Sequence, residues 1–277
     1  MMSESIKSNT AGRKFYLNKW FLDFVGENGE TMIFYAAKLN WNMLEVQYTS
    51  WLSFDPASGV SQTSRFRNIN MPVSKNGIIC WSDSKFGVEG CWKPLATPLN
   101  ARIFDSEEGS VDWNCHQPAS SVSLKFKDRT IRGMGYAEQL LLTVPPWKIP
   151  MDELRWGRFG SSENQMVWIE LIAEEKRQWL WLNGEKIKNC IIEDDNILIA
   201  GKNISLKLDK DVVLESEKKI LSVVESLVRY LPGINKIIPL KFIMAEECKW
   251  LSKGILKKRD AVIDQGTAIH ELVNFKP

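Results

Sequence analysis

Apolar and polar residues alternate strictly through Ser121-Val122-Ser123-Leu124-Lys125-Phe126-Lys127, the two-residue period of a strand with one buried face. Residues 197–208 alternate similarly and break at Gly201, while residues 32–38 are rich in aromatic and β-branched side chains. Turn signals recur between such segments: Glu27-Asn28-Gly29, Lys75-Asn76-Gly77 and Asn183-Gly184. Many short strands with frequent turns predict a sandwich or a barrel. One stretch has a different period. Ile220, Val223, Val224, Leu227, Val228 and Leu231 recur at helical spacing. Ser216 stands where a cap would, and Pro232-Gly233 supplies a stop, so the spacing predicts a helix packed across one barrel.

The chain also resembles itself. Lys19-Trp20, Phe24, Glu27-Asn28 and Met32-Ile33-Phe34 are followed later by Arg155-Trp156, Phe159, Glu163-Asn164 and Met166-Val167-Trp168. Both runs read as an aromatic strand, a polar turn and an apolar strand. Gly133-Met134-Gly135-Tyr136-Ala137-Glu138 has a counterpart in Gly266-Thr267-Ala268-Ile269-His270-Glu271. Two anchors with similar offsets predict an internal duplication. The expectation is a mainly β protein of two tandem units, residues 14–144 and 145–277, with the crossover in the proline-rich stretch 144–152.

Length and charge narrow the function classes. A chain of 277 residues suffices for two cores. Net charge is +2, and it divides evenly: 15 Lys/Arg against 14 Asp/Glu in residues 1–140, and 21 against 20 in 141–277. No global field favours nucleic acid or a membrane surface, and the basic run 253–259 reads as a solvated turn. No apolar run approaches the roughly 20 residues of a membrane-spanning helix. The polar start of the chain lacks the apolar segment of a secretory signal, which makes the cytoplasm the expected location. Cys80, Cys91, Cys115, Cys190 and Cys248 form no CxxC pair, so reduced thiols are expected. With only His116 and His270 beside them, no metal centre is expected. Nothing matches a Walker loop, a GxSxG elbow or an HExxH helix, and Gly133-x-Gly135 lacks the third glycine of a dinucleotide fingerprint.

Twelve tryptophans against five tyrosines point to packed barrel interiors and to the walls of an apolar pocket. The segment with the most chemistry is residues 131–159, where Gly133-Met134-Gly135-Tyr136-Ala137-Glu138 is followed by Trp147 and by Trp156-Gly157. A Gly-x-Gly-Tyr-x-acid strand followed by Trp-Gly resembles the centre of the lipocalin-like two-domain superfamily. That group includes carotenoid hydratases (hydroxyneurosporene synthases), AttH-like proteins, tocopherol cyclases and lipocalin-type Diels–Alderases. The resemblance would cover nearly the whole chain and implies two tandem lipocalin-like (calycin-type) antiparallel barrels with one or two short helices. It further implies an activity without metal or redox cofactor on hydrophobic polyenes and isoprenoids, in a pocket at the domain junction. Relatives often carry a His-Asp pair after the tyrosine, where Ala137-Glu138 stands here, so a proton relay through histidine is in doubt.

The residues support a similar chemistry on their own terms. Protonating an alkene requires an acid that keeps its proton near neutral pH, which burial in an apolar pocket provides. The resulting cation is stabilised by aromatic faces. Glu138 is the expected acid and Tyr136 its partner, with Trp147, Trp156 and Trp168 as pocket wall. Trp20, Glu170, Arg158 and His116 complete the expected binding set. Two other readings remain at this stage. Glu138 and its repeat Glu271 read equally as structural acids paired with the basic-Trp strands. The whole protein also reads as a lipid or pigment carrier, or as a Trp-rich carbohydrate-binding sandwich. In every reading of the first two kinds the partner is a hydrophobic small molecule.

Overall fold

The computed structural model describes residues 15–126, 128–219 and 238–275. Ten strands form a first antiparallel sheet: β1 (Phe15–Gly26), β2 (Thr31–Trp41), β3 (Leu44–Asp55), β4 (Gly59–Phe66), β5 (Val73–Lys75), β6 (Ile78–Asp83), β7 (Val88–Pro94), β8 (Leu99–Ser106), β9 (Gly109–Phe126) and β10 (Arg129–Leu142). Ten more form a second: β11 (Glu153–Gly160), β12 (Gln165–Ile172), β13 (Lys176–Leu182), β14 (Glu185–Ile187), β15 (Ile191–Ile192), β16 (Asn196–Ile199), β17 (Ile204–Leu208), β18 (Val212–Lys219), β19 (Glu246–Lys258) and β20 (Ala261–Asn274). The first sheet runs β4-β3-β2-β1-β10-β9-β7-β6-β5 with β8 on β9. The second repeats that order as β14-β13-β12-β11-β20-β19-β17-β16-β15, with β18 on β19. The two are lipocalin-like half-barrels in tandem. Between them lies a single turn of tight helix, Pro146–Lys148, and a short helix α1 (Leu240–Ile243) precedes β19.

The turn chemistry read from the sequence produces the hairpins. Asn76 and Gly77 (φ 51° and 77°) close β5–β6, and Asn183 and Gly184 (φ 52° and 81°) close β13–β14, both with paired positive φ angles. Alternation also decides burial. In β9, Val122 and Leu124 face inward while Ser121, Ser123 and Lys125 face out.

Each sheet wraps its own core. Trp20, Leu22, Phe24, Phe34, Trp81 and Trp92 fill the first, and Phe159, Trp168, Leu180, Ile197 and Leu206 fill the second. A third core lies between the sheets and draws Phe21, Trp113 and Tyr136 from one, and Trp156, Val167 and Trp181 from the other. The outward faces of β1 and β11 are therefore buried against each other.

The register refines the repeat. Phe24 pairs with Met32, and Phe159 pairs with Met166. Counting back from these phenylalanines sets Trp20 opposite Arg155 in the repeat, and Phe21 opposite Trp156. The basic-Trp pairs are thus offset by one residue, and in a strand one residue changes the face. Trp20 lies in the first barrel's core and Trp156 in the core between barrels. At the other anchor the repeat is in register, because Glu138 pairs with Phe21 and Glu271 with Trp156.

Two expectations change. Cys80 and Cys91 face each other across β6 and β7 and form a disulfide, so the thiols are not all reduced. Their spacing in the sequence conceals the pairing, and only the hairpin register brings them together. Ser216, expected to cap a helix, lies within β18, and residues 220–231 of that expected helix lie outside the described residues. Among the described residues, no helix is long and apolar enough to cross a membrane.

Candidate functional site between the barrels

Glu138 projects from β10 toward the core between the sheets. Tyr136, two residues earlier on the same strand, donates its hydroxyl to Glu138 Oε2 at 2.6 Å. The indole N–H of Trp113, from β9, reaches the same oxygen at 2.5 Å, and that of Trp156, from β11, at 3.1 Å. One carboxyl oxygen thus collects donors from both halves of the protein. The register of β10 against β9 shifts between Gly135 and Glu138, the kind of irregularity that re-aims side chains. Burial pushes the Glu138 pKa up to about 7, against the pull of Tyr136, Trp113, Lys19 and Trp156. The raised pKa lets this carboxyl keep its proton much closer to neutral pH than an ordinary glutamate does. The neighbouring Cys115 thiol is pushed well up by burial, which leaves it a poor nucleophile.

Beside Glu138 a cleft of about 390 Å³ opens along the junction. Leu140, two residues on from Glu138 and on the same face, lines it together with Lys19, its partner on β1. Apolar walls come from both barrels and the linker, including Phe15, Leu39, Trp147, Leu154, Phe242 and Val273. Trp147 packs edge-on against Phe15, with ring centroids 6.1 Å apart.

The polar end of the cleft centres on Lys249, which is 0% exposed. Its Nζ donates to Tyr35 Oη at 2.9 Å, Glu215 Oε2 at 2.7 Å and Glu247 Oε1 at 2.6 Å. Glu271 Oε2 stands 3.1 Å away. Burial disfavours the ammonium, but Glu247, Tyr35, Glu215 and Glu271 outweigh it and hold its pKa well above the ordinary lysine value. Burial raises the Tyr35 phenol well above its ordinary range. Tyr35, Glu215, Glu247 and Glu271 line the cleft, and Lys249 braces them from behind. The register aligns Glu138 with Glu271 and Cys115 with Lys249, so one repeated position carries a caged carboxyl with a raised pKa in one barrel and a lysine-bound carboxylate in the other.

The other residues singled out from the sequence are dispersed. Trp168 lies in the second barrel's core, and Trp20 stacks on His116 inside the first, with ring centroids 4.8 Å apart. Burial lowers the His116 pKa. Glu170 binds Arg155 and Lys176. Arg158 makes a two-pronged bond to Asp23, Nε to Oδ2 at 2.8 Å and Nη2 to Oδ1 at 2.6 Å, and both side chains are buried. The structure therefore brings together Glu138, Tyr136 and Trp156 in the core beside the cleft, while Trp147 lines the cleft itself. Sequence reasoning missed Tyr35, Lys249, Glu215 and Glu247. The available signal was slight: alternation in Glu247-Cys248-Lys249 sets the acid and the lysine on one face, but Tyr35 is 214 residues from Lys249.

No family model matches the chain, and no curated protein matches it by sequence. Solved structures do match. An AttH-like protein from Nitrosomonas europaea is 8% identical, with 95% of this chain and 93% of that chain covered at a TM-score of 0.56. CghA is 10% identical over 94% of this chain and 88% of its own, also at 0.56. Kievitone hydratase from Nectria haematococca is 13% identical over 93% and 88%, at 0.51. Through this likeness of architecture over nearly its full length, the chain takes its place among proteins with the lipocalin-like two-domain fold.

Proposed function

We propose that the protein is a hydratase-, cyclase- or isomerase-type enzyme that converts a hydrophobic isoprenoid- or polyketide-like small molecule in the cleft between its barrels. The observation that carries this reading is Glu138, a carboxyl whose pKa is pushed up to about 7, two residues along β10 from Leu140, which lines the cleft with its partner Lys19. A kievitone hydratase on the same fold supports it. In its neutral form Glu138 would give its proton to an alkene carbon, leaving a cation at the neighbouring carbon. The ring faces of Tyr136 and Trp156 would stabilise that cation. Water would then form the new C–O bond and return a proton to the Glu138 carboxylate; for ring closure, a second double bond would instead form a C–C bond to the cation, and the new cation so formed would lose a C–H proton to the carboxylate. None of the twelve tryptophans is exposed and seven are buried, which leaves little for the stacking of sugars on an open surface.

The test begins with organic extraction of the purified protein and mass spectrometry of the extract. With the molecule so identified as substrate, Glu138→Gln should retain it with unchanged affinity and lower turnover by at least about a hundredfold. Wild-type turnover should be present below pH 7 and fall as pH rises through about 7, because the acid must be protonated to act. Retention without turnover in either form would make the protein a carrier. A variant that only melts earlier, with turnover intact, would make Glu138 a structural partner.

A further inference from the structure

The polar end of the cleft contains two hydrogen-bond donors whose arrangement selects a ligand. Lys249 is an ammonium with donors only, so the 2.9 Å contact with Tyr35 requires the phenol oxygen to accept. The Tyr35 hydroxyl hydrogen is then directed elsewhere, and among the described residues no group accepts it. Beside it, the Lys19 Nζ lies 4.9 Å from the centroid of the Tyr35 ring. Lys19 is half-buried and makes no ion pair among the described residues. Tyr35 and Lys19 both line the cleft. The carboxylates of Glu215, Glu247 and Glu271 share the same end, but each is already within ion-pair distance of Lys249.

We infer that the cleft takes apolar molecules bearing a carbonyl-type oxygen, which accepts hydrogen bonds from the Tyr35 hydroxyl and the Lys19 ammonium. The inference rests on the cleft being the ligand site and goes further by separating oxygenated substrates from plain hydrocarbons. A hydrocarbon filling the cleft strips water from both donors and replaces it with nothing, a loss that a carbonyl oxygen avoids. The Lys249–Tyr35 contact strengthens the effect, since a phenol whose oxygen accepts from an ammonium becomes a better donor.

Three probes of similar size test this: acetylnaphthalene, isopropylnaphthalene and naphthylethylamine, titrated calorimetrically into the full-length protein. The ketone should bind about fivefold to tenfold tighter than the hydrocarbon. Tyr35→Phe should reduce that preference, weakening the ketone and tightening the hydrocarbon, and Lys19→Met should reduce it as well. In the infrared, the carbonyl stretch of the bound ketone should move to lower frequency in the wild type and return toward its apolar-solvent position in Tyr35→Phe. A variant that merely loosened the fold would weaken all three probes together, and Lys19→Met then decides the matter on its own. Equal binding of ketone and hydrocarbon by the wild type overturns the inference and leaves the cleft as the site. Tightest binding of the amine also overturns it, in favour of the carboxylates as the recognising groups. If no probe binds, the cleft reading fails, and this inference with it.

Discussion

His270 shows how far one strand position decides the chemistry of a side chain. It faces into the second barrel, stacked on Trp250 at 5.2 Å, with Nε2 2.9 Å from Ser252 Oγ. Burial, together with the charge of Lys210, lowers its pKa to about 4. The folded protein therefore keeps it neutral, whereas the unfolded chain protonates it near 6.5. The stability held above pH 6.5 is lost as pH falls toward 4, by up to about 3 kcal/mol. Unfolding in urea at pH 8 and at pH 4.5 should show that loss, and His270→Gln should shrink it. An identical acid-side loss in the variant would assign the effect to other groups. Glu138 was legible from its strand and its aromatic neighbours, because the tyrosine that binds it is two residues away. Lys249 and Tyr35 were not, because a contact spanning the whole fold leaves no trace in local spacing.

At the level of strands, the glycine motifs that drew attention as chemistry turn out to serve packing. A Cβ on Gly135 would stand 2.4 Å from the Asp23 carbonyl oxygen, 2.6 Å from Val122 and 2.9 Å from the Trp92 indole nitrogen. That indole donates to the same Asp23 oxygen at 2.7 Å. Gly135→Ala should therefore separate β10 from β1, break a buried hydrogen bond and cost about 2–4 kcal/mol. Chemical denaturation is the measurement, and a cost below about 0.5 kcal/mol would show that the strands give way freely. Gly157 has a similar origin, since a Cβ there would meet the Trp168 ring at 2.2 Å. In the repeat, Leu22 and Phe34 occupy the places of Gly157 and Trp168, so the larger ring is accommodated by the smaller neighbour. The strands, turns and duplication could be read because alternation and Asn-Gly signals are local. The one-residue offset of the tryptophans and the Cys80–Cys91 disulfide could not, because both depend on register between strands.

Across the whole molecule, the packing of the two barrels depends on a pair that the repeat itself supplies. Asp23 and Arg158 occupy equivalent positions, each one residue before the core phenylalanine, and they meet with both side chains buried. Burial raises the Asp23 pKa above its ordinary value, while Arg158 works against that rise. Removing one partner strands the other charge in the core between the barrels. Asp23→Leu or Arg158→Met alone should therefore cost about 3–5 kcal/mol, whereas the two combined should cost far less than the sum. A double-mutant cycle measured by urea unfolding tests this. Additive single effects would mean that the two groups do not depend on each other. The interface core is continuous from Phe21 and Tyr136 to Trp156 and Trp181, so the wild type should unfold in one transition. In either single variant the transition should split or broaden as the barrels separate. The cleft requires both halves, with Lys19 and Leu140 on one side and Glu215 and Glu271 on the other. Retention of a hydrophobic probe should consequently disappear in the first of those transitions, ahead of the loss of strand signal in circular dichroism.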